Sequence, residues 1–294
     1  MIGAVLDPAI LLPEQAEWMD ETSRDRFVGL LIDHLDTLER LEEIRLHWSD
    51  ELTARLWDDP AVPPWRDSRA WRTAIVPILF KRLNSLISSV DTLSEDPCAA
   101  DPELECVCPR AEVLFLRLMA SVAHLRPPVC LGARNSGIQG ITFALPSGEG
   151  CFSVELVRAP ADWLHLVDVE EHFWPSTRDE EARLAECLEL VRMRDFGGSG
   201  FLYEFRFGRR FMQDVVCARS RQALARALAK RLVLTAQEAA RDPSLHDELL
   251  SGSVHRLRVT QRPSSTRVHY TYEEDGRIEF IRYYGPGEHD DGLR

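Results

Sequence analysis

Between His255 and Gly285 the sequence alternates apolar and polar residues, a period of two that fits only half-buried β-strands. Three runs carry it: HRLRV (255–259), TRVHYTY (266–272) and RIEFIRYYG (277–285). Gln261 to Ser265 separates the first two. Glu273-Glu274-Asp275-Gly276 closes the second, and Asp-Gly between alternating runs is a strong hairpin signal. The pattern predicts Val268, Tyr270 and Tyr272 on one face of the middle strand, with Arg267, His269 and Thr271 on the other. An exposed strand face with Arg and His side by side, and tyrosines close by, is suited to gripping a phosphodiester.

At 294 residues, 45% of them hydrophobic, the chain is long enough for two domains with ordinary cores. No apolar run reaches the roughly 20 residues of a membrane span. The opening MIGAVLDPAILLPEQ has neither basic leader nor cleavage pattern. Seven cysteines, an odd number without an even framework, suit a reducing compartment. Two lysines accompany 33 arginines, a bias that fits a GC-rich bacterial genome. The expectation is a soluble bacterial cytoplasmic protein with no membrane partner. Its net charge of −13 is unevenly spread: residues 191–294 carry 18 Lys+Arg against 14 Asp+Glu, and the rest carries 17 against 34. A basic C-terminal third on an acidic body predicts two regions with different partners, the acidic one meeting another protein.

Residues 2–7 read as an apolar strand ending at Asp7. Glu14 to Arg45 has helical spacing, with Phe27, Leu30, Leu31, His34, Leu35, Leu38 and Leu41 on one stripe. A brief strand at His47 then runs into a helix capped by Ser49. A helix over 68–93 interrupted near Pro77, a helix from Arg110, a buried strand at Val129-Cys130-Leu131, a hairpin over 141–158 and a helix over 180–194 follow. Gly197-Gly198-Ser199-Gly200 reads as a flexible joint, which places the domains at 1–152 and 196–294 with 153–195 connecting them. The last region is expected to run strand (201–207), long helix (219–240), short helix (244–250) and three antiparallel strands, a compact α+β unit.

That order resembles the RelE/ParE toxin superfamily, with HigB-like ribosome-dependent ribonucleases within it. The resemblance covers residues 200–294 and rests on FRFGRRFMQD, HRLRV, TRVHYTY and IEFIRYYGPGEHDDG. It implies a small sheet that grips mRNA and cleaves it by attack of the ribose 2′-OH. Arg256 or Arg258, with Arg267, then bind the phosphate and its transition state. His269 or His289 is the acid/base, and Tyr270 or Tyr284 stacks on a base. The lysines that ribosome-dependent members often use are absent from the closing sheet, and the ParE branch keeps the fold without nuclease chemistry. In the long helix Arg219, Arg226 and Lys230 share a face opposite Leu224, Leu228 and Leu232, a basic stripe suited to lying along RNA.

The N-terminal region resembles a PIN-type nuclease domain, an α/β fold with a parallel sheet. VLD ends in Asp7, SDEL contributes Glu51 and AEVLFLRLMA contributes Glu112. The resemblance implies Mg²⁺ or Mn²⁺ held by these three carboxylates. A fourth acid is expected after the late strand, where Arg134 and Asn135 stand instead, and a positive charge there weakens a metal site. Cys98, Cys106 and Cys108 cluster in an acidic loop without the paired spacing of structural zinc. Motifs of P-loop NTPases, dinucleotide enzymes, zinc proteases and serine hydrolases are missing. The reading is therefore an RNA-targeting toxin or anti-phage effector acting on RNA or the ribosome, with cleavage by 2′-OH attack. The alternative is a non-catalytic nucleic-acid- or protein-binding component of a multi-protein defence system.

Overall fold

The computed structural model describes residues 2–6, 19–47, 69, 73, 76–88, 129–131, 141–144, 151–198, 200–261 and 266–288. The protein is mixed α/β and divides into two units, Met1–Trp163 and Leu164–Arg294. No helix among the described residues is long and apolar enough to cross a membrane.

The first unit is built on six strands: β1 (Ile2–Leu6), β2 (Ile44–His47), β3 (Ile87–Ser88), β4 (Val129–Leu131), β5 (Ile141–Ala144) and β6 (Cys151–Val157). They lie in the order β3-β2-β1-β4-β6-β5, parallel except for the β5–β6 hairpin. Helix α1 (Glu21–Arg40) opens on Asp20, whose carboxylate accepts from the Ser23 amide at 2.8 Å. It buries Phe27, Leu31, His34, Leu35 and Leu38, the stripe read from the sequence, although Leu30 is only half-buried. The helix is shorter than its periodicity suggests. Leu41 and Ile44 continue a spacing of three, yet both are buried after the helix has ended, and Ile44 already pairs with Ile2 in the sheet. Helix α2 (Val76–Leu86) carries Pro77 in its first turn, where a missing N–H interrupts no helical bond. Its Arg82 bonds Asp36 and, with Nε at 2.7 Å, Glu39 on α1.

A short helix α3 (Pro160–Trp163) ends the unit with Trp163 fully buried, donating from Nε1 to His34 Nδ1 at 3.0 Å. Burial pushes the His34 imidazole down to about 4, against the opposing pull of Asp162.

The second unit contains α4 (Val169–His172), α5 (Glu181–Asp195), β7 (Phe205–Phe207), α6 (Arg209–Val216), α7 (Arg221–Val233), α8 (Ala236–Arg241), β8 (Glu248–Ser251), β9 (Val254–Arg258), β10 (Arg267–Tyr272) and β11 (Ile278–Tyr284). Its sheet runs β7-β11-β10-β9-β8 and is antiparallel except that β7 lies parallel to β11. The expected long helix over 219–240 is two helices, because Ser220 and Thr235 each start a new one, and a further helix, α6, precedes them after Gly208. Gly208 is needed at the β7–α6 corner, where a Cβ would sit 3.1 Å from the Phe280 carbonyl. Where a helix over 244–250 is expected, a turn leads into the edge strand β8.

Gly197 and Gly198 take φ of 63° and 80° and cap α5, and Arg192 donates to their carbonyls at 2.6 and 2.8 Å. Buried Leu184, Cys187, Leu188 and Val191 make α5 part of this unit's core against α7. The division therefore falls after Trp163, about thirty residues before the glycines.

His34 binds fewer protons folded than unfolded between its ordinary value of 6.5 and about 4. Stability is thus complete above pH 6.5 and falls on acidification through that window, by on the order of 3 kcal/mol from this residue. Urea unfolding from pH 7 to pH 4 should show this loss. His34→Gln should flatten the curve, and His34→Leu should cost stability already at pH 7 by leaving Trp163 Nε1 unpaired.

Candidate nucleic-acid interface

The register of the closing sheet fixes which polar groups share a face. Arg267 lies between Arg258 and Tyr284, and His269 between Arg256 and Arg282. Directly opposed residues project to one side. So Arg256, Arg258, Arg267, His269, Arg282 and Tyr284 share one face, whereas Leu257, Val268 and Tyr270 turn to the other, as alternation predicted. The exposure differs from expectation. His269 is 3% exposed beneath the Tyr284 ring, with centroids 4.7 Å apart, and a bulge in the pairing with β11 falls beside it. The imidazole proposed as acid/base is buried rather than presented on an open face. Arg256 is engaged by Glu248, with Nε at 2.9 Å, and Arg282 by Asp214 at 2.8 Å.

Tyr270 is fully buried, which removes it as a base-stacking or catalytic surface group. Its hydroxyl accepts from Arg231 Nε at 2.8 Å and donates to Asp247 Oδ2 at 2.6 Å. Arg231, itself 0% exposed, also meets Asp247 at 3.1 Å, donates to the Leu234 carbonyl at 2.9 Å, and bonds the Tyr272 hydroxyl. Its guanidinium faces the rings of Tyr203, Tyr270 and Tyr272 at 5.1 to 5.4 Å. Burial drives the Tyr270 phenol far above its ordinary range and also raises Asp247, while Arg231 opposes both shifts. This cluster was not foreseen. Its signal was Arg231 standing seven residues after Leu224 and three after Leu228, on the apolar stripe of α7.

The open basic site lies elsewhere in the same unit. A cleft of about 950 Å³ is lined by Arg226 and Lys230 from α7 and Arg258 from β9, with Arg194, His165, Phe196, Gln222 and Ser244. The pairing of Arg226 with Lys230 follows from their spacing of four on one helix. Arg219 is exposed and lines an adjoining cleft that shares Asp168, Glu170, Gln222 and Ala223 with the first. It precedes α7, whose N-cap is Ser220, so it belongs to the site without belonging to the helical stripe.

Carboxylates are interleaved with these cations. Glu170, 1% exposed, is engaged by Arg194 at 2.6 and 2.9 Å, and Asp195 meets Arg226 at 3.5 Å. Lys230 bonds Asp242 at 2.6 Å and Ser244 at 2.8 Å. Burial works against ionising Asp242, but Lys230, Ser244 and the amides of Ser244 and Leu245 prevail and hold it at about 2. Among the described residues the guanidinium of Arg258 meets no carboxylate.

Asp7, Glu51, Glu112 and His289 lie outside the described residues, as do Arg134, Asn135 and the Cys98, Cys106 and Cys108 cluster. In the first unit β1 and β4 lie side by side, with Leu6 paired to Leu131, and the strand order reverses there. The carboxyl ends of such strands are where open α/β sheets bind ligands. Asp7 immediately follows β1 in sequence. No family model, curated protein or solved structure matches the chain.

Removing a partner from the buried Arg231 cluster should be severe. Arg231→Leu leaves Asp247 uncompensated and should cost about 3–5 kcal/mol. Tyr270→Phe removes one hydroxyl and should cost about 1–3 kcal/mol. Thermal and urea melts check both, and equal stability of Arg231→Leu and wild type would refute the assignment.

Proposed function

We propose that the C-terminal unit binds the phosphate backbone of RNA, and that the protein serves as a nucleic-acid-recognising component of a bacterial defence assembly. One observation carries this reading: Arg226, Lys230 and Arg258 come from two separate elements and converge on one cleft. Arg219 extends the track on one side. Arg267, directly opposite Arg258, extends it on the other. Phosphate contacts of this kind supply affinity and register without reading bases. Arg226 is the most open of the three converging cations, 65% exposed, and its ion pair with Asp195 holds by only about 0–1 kcal/mol and yields to a phosphate.

The RelE/ParE-like and PIN-like resemblances are kept here as proposals for the second and first units. On this reading both folds act as scaffolds. The acidic first unit, with 26 Asp+Glu against 15 Lys+Arg in residues 1–163, supplies the surface for a protein partner.

A second reading, cleavage through 2′-OH attack, draws on the opposed Arg258–Arg267 pair, with His269 two residues along the strand. It requires His269 to reach solvent, and its burial favours binding without cleavage. A Mg²⁺- or Mn²⁺-dependent site at Asp7, Glu51 and Glu112 is a separate proposal, tested by metal-dependent cleavage that Asp7→Ala abolishes.

Fluorescence anisotropy with a short RNA, repeated over a salt series, tests the backbone reading. Arg226→Ala, Lys230→Ala and Arg258→Ala should each weaken binding and lower the salt slope by about 1. Arg206→Ala, which removes a cation engaged with Glu273 and Glu279, should change neither. A triple cleft variant with wild-type affinity and slope would end this reading. Release of RNA ending in a 2′,3′-cyclic phosphate, lost in Arg267→Ala/His269→Ala, would establish the second.

A further inference from the structure

The tyrosines expected to stack on a base are both buried, Tyr270 at 0% and Tyr284 at 7% exposure. Three other rings are half-buried and contiguous. Tyr203 and Tyr272 have centroids 5.9 Å apart with their planes tilted by 59°, and His255 meets Tyr272 edge-on at 5.3 Å while stacking on Tyr270 at 5.1 Å. They come from the segment before β7, the end of β10 and the start of β9, so tertiary structure alone assembles them.

The cluster is held from within. The Arg231 guanidinium lies 5.2 Å from the Tyr203 ring centre and 5.4 Å from that of Tyr272, and bonds the Tyr272 hydroxyl. Asp247, 3% exposed, gives Oδ2 to Tyr270 and Arg231. Its Oδ1 accepts no hydrogen bond and faces His255 Nδ1 at 3.8 Å. A buried carboxylate in that position favours the proton on Nδ1, which leaves Nε2 as an acceptor. Burial also holds the His255 imidazole below its ordinary range despite Asp247, so it is neutral at pH 7. One quarter of the His255 side chain is exposed.

We infer that Tyr203, Tyr272 and His255 form an aromatic cluster that takes one unpaired nucleobase, the base stacking on the Tyr203 ring with His255 Nε2 accepting from its exocyclic amino group. The inference rests on the backbone-binding reading above and adds to it the class of nucleic acid, a single strand. Bases in a duplex have their faces covered by neighbours and their pairing edges engaged, whereas an unpaired base offers both. The cluster lies within reach of the cleft. Ser244 and Leu245 line the cleft while Asp247, two to three residues on, faces His255 at 3.8 Å, which is about 10 Å of chain at most. Rings already held by a buried cation lose little freedom on binding, which favours affinity.

The test uses the full-length protein and a short RNA carrying a central 2-aminopurine, whose fluorescence is quenched when its ring stacks. The single strand should be quenched and bind about tenfold more tightly than the same sequence in a duplex. Tyr203→Leu and His255→Ala should lose the quenching and bind roughly 5- to 10-fold more weakly, with the salt slope unchanged. Tyr203→Trp, which keeps a ring face, should retain the quenching, and melting curves should show all three variants folded. Salt-dependent binding without quenching, or quenching that persists in both Tyr203→Leu and His255→Ala, would overturn the aromatic base site and leave the backbone reading intact. Absence of salt-dependent RNA binding would overturn both.

Discussion

One buried cation organises the C-terminal unit. Arg231 sits fully inside at the end of α7, where its guanidinium is met by Asp247, the hydroxyls of Tyr270 and Tyr272, the Leu234 carbonyl and three tyrosine rings. A charge removed from water is tolerable only when its partners are this complete. The contacts join α7 to β10, to the segment before β7 and to the residue that precedes β8. The helix and the sheet are therefore locked in one rotation about each other, which a purely apolar seam fixes less sharply.

That rotation decides what the neighbouring residue does. Lys230 adjoins Arg231 in sequence, yet about 100° of helical turn sends it to Asp242 and Ser244 at the cleft wall. Arg226, one turn earlier, is carried to the same wall. The buried arginine therefore positions the exposed cations, and the segment from Asp242 to Asp247 is held at both ends by the two adjacent basic residues of α7. The placement of the exposed cations thus depends on a structural ion pair beneath them.

Much of this was legible in the chain. Period-two alternation in TRVHYTY placed Arg267 and His269 opposite Val268 and Tyr270, and the register agrees. The α1 stripe through Phe27, Leu31, Leu35 and Leu38 was equally clear, because a period of 3.6 over five turns has no competing explanation. Boundaries were less clear. Leu41 and Ile44 suit a helix or a strand, and pairing of Ile44 with Ile2 settled the matter. The glycines at 197–198 looked like a linker because glycine marks both joints and helix caps. The Arg192 contacts that distinguish the two come from a residue whose partners no local pattern reveals.

Read residue by residue, the chain settles which residues alternate, which helices carry apolar stripes, and that Arg226 and Lys230 stand four apart on one helix. Those properties are local, set by backbone period and side-chain chemistry. Tertiary structure alone decided that Tyr270 is sealed inside against Arg231, that His269 lies beneath Tyr284, and that Tyr203, His255 and Tyr272 meet at one surface. Exposure and proximity between distant segments depend on how helices settle on the sheet, and that is fixed by the fit of the whole core rather than by any single stretch of chain.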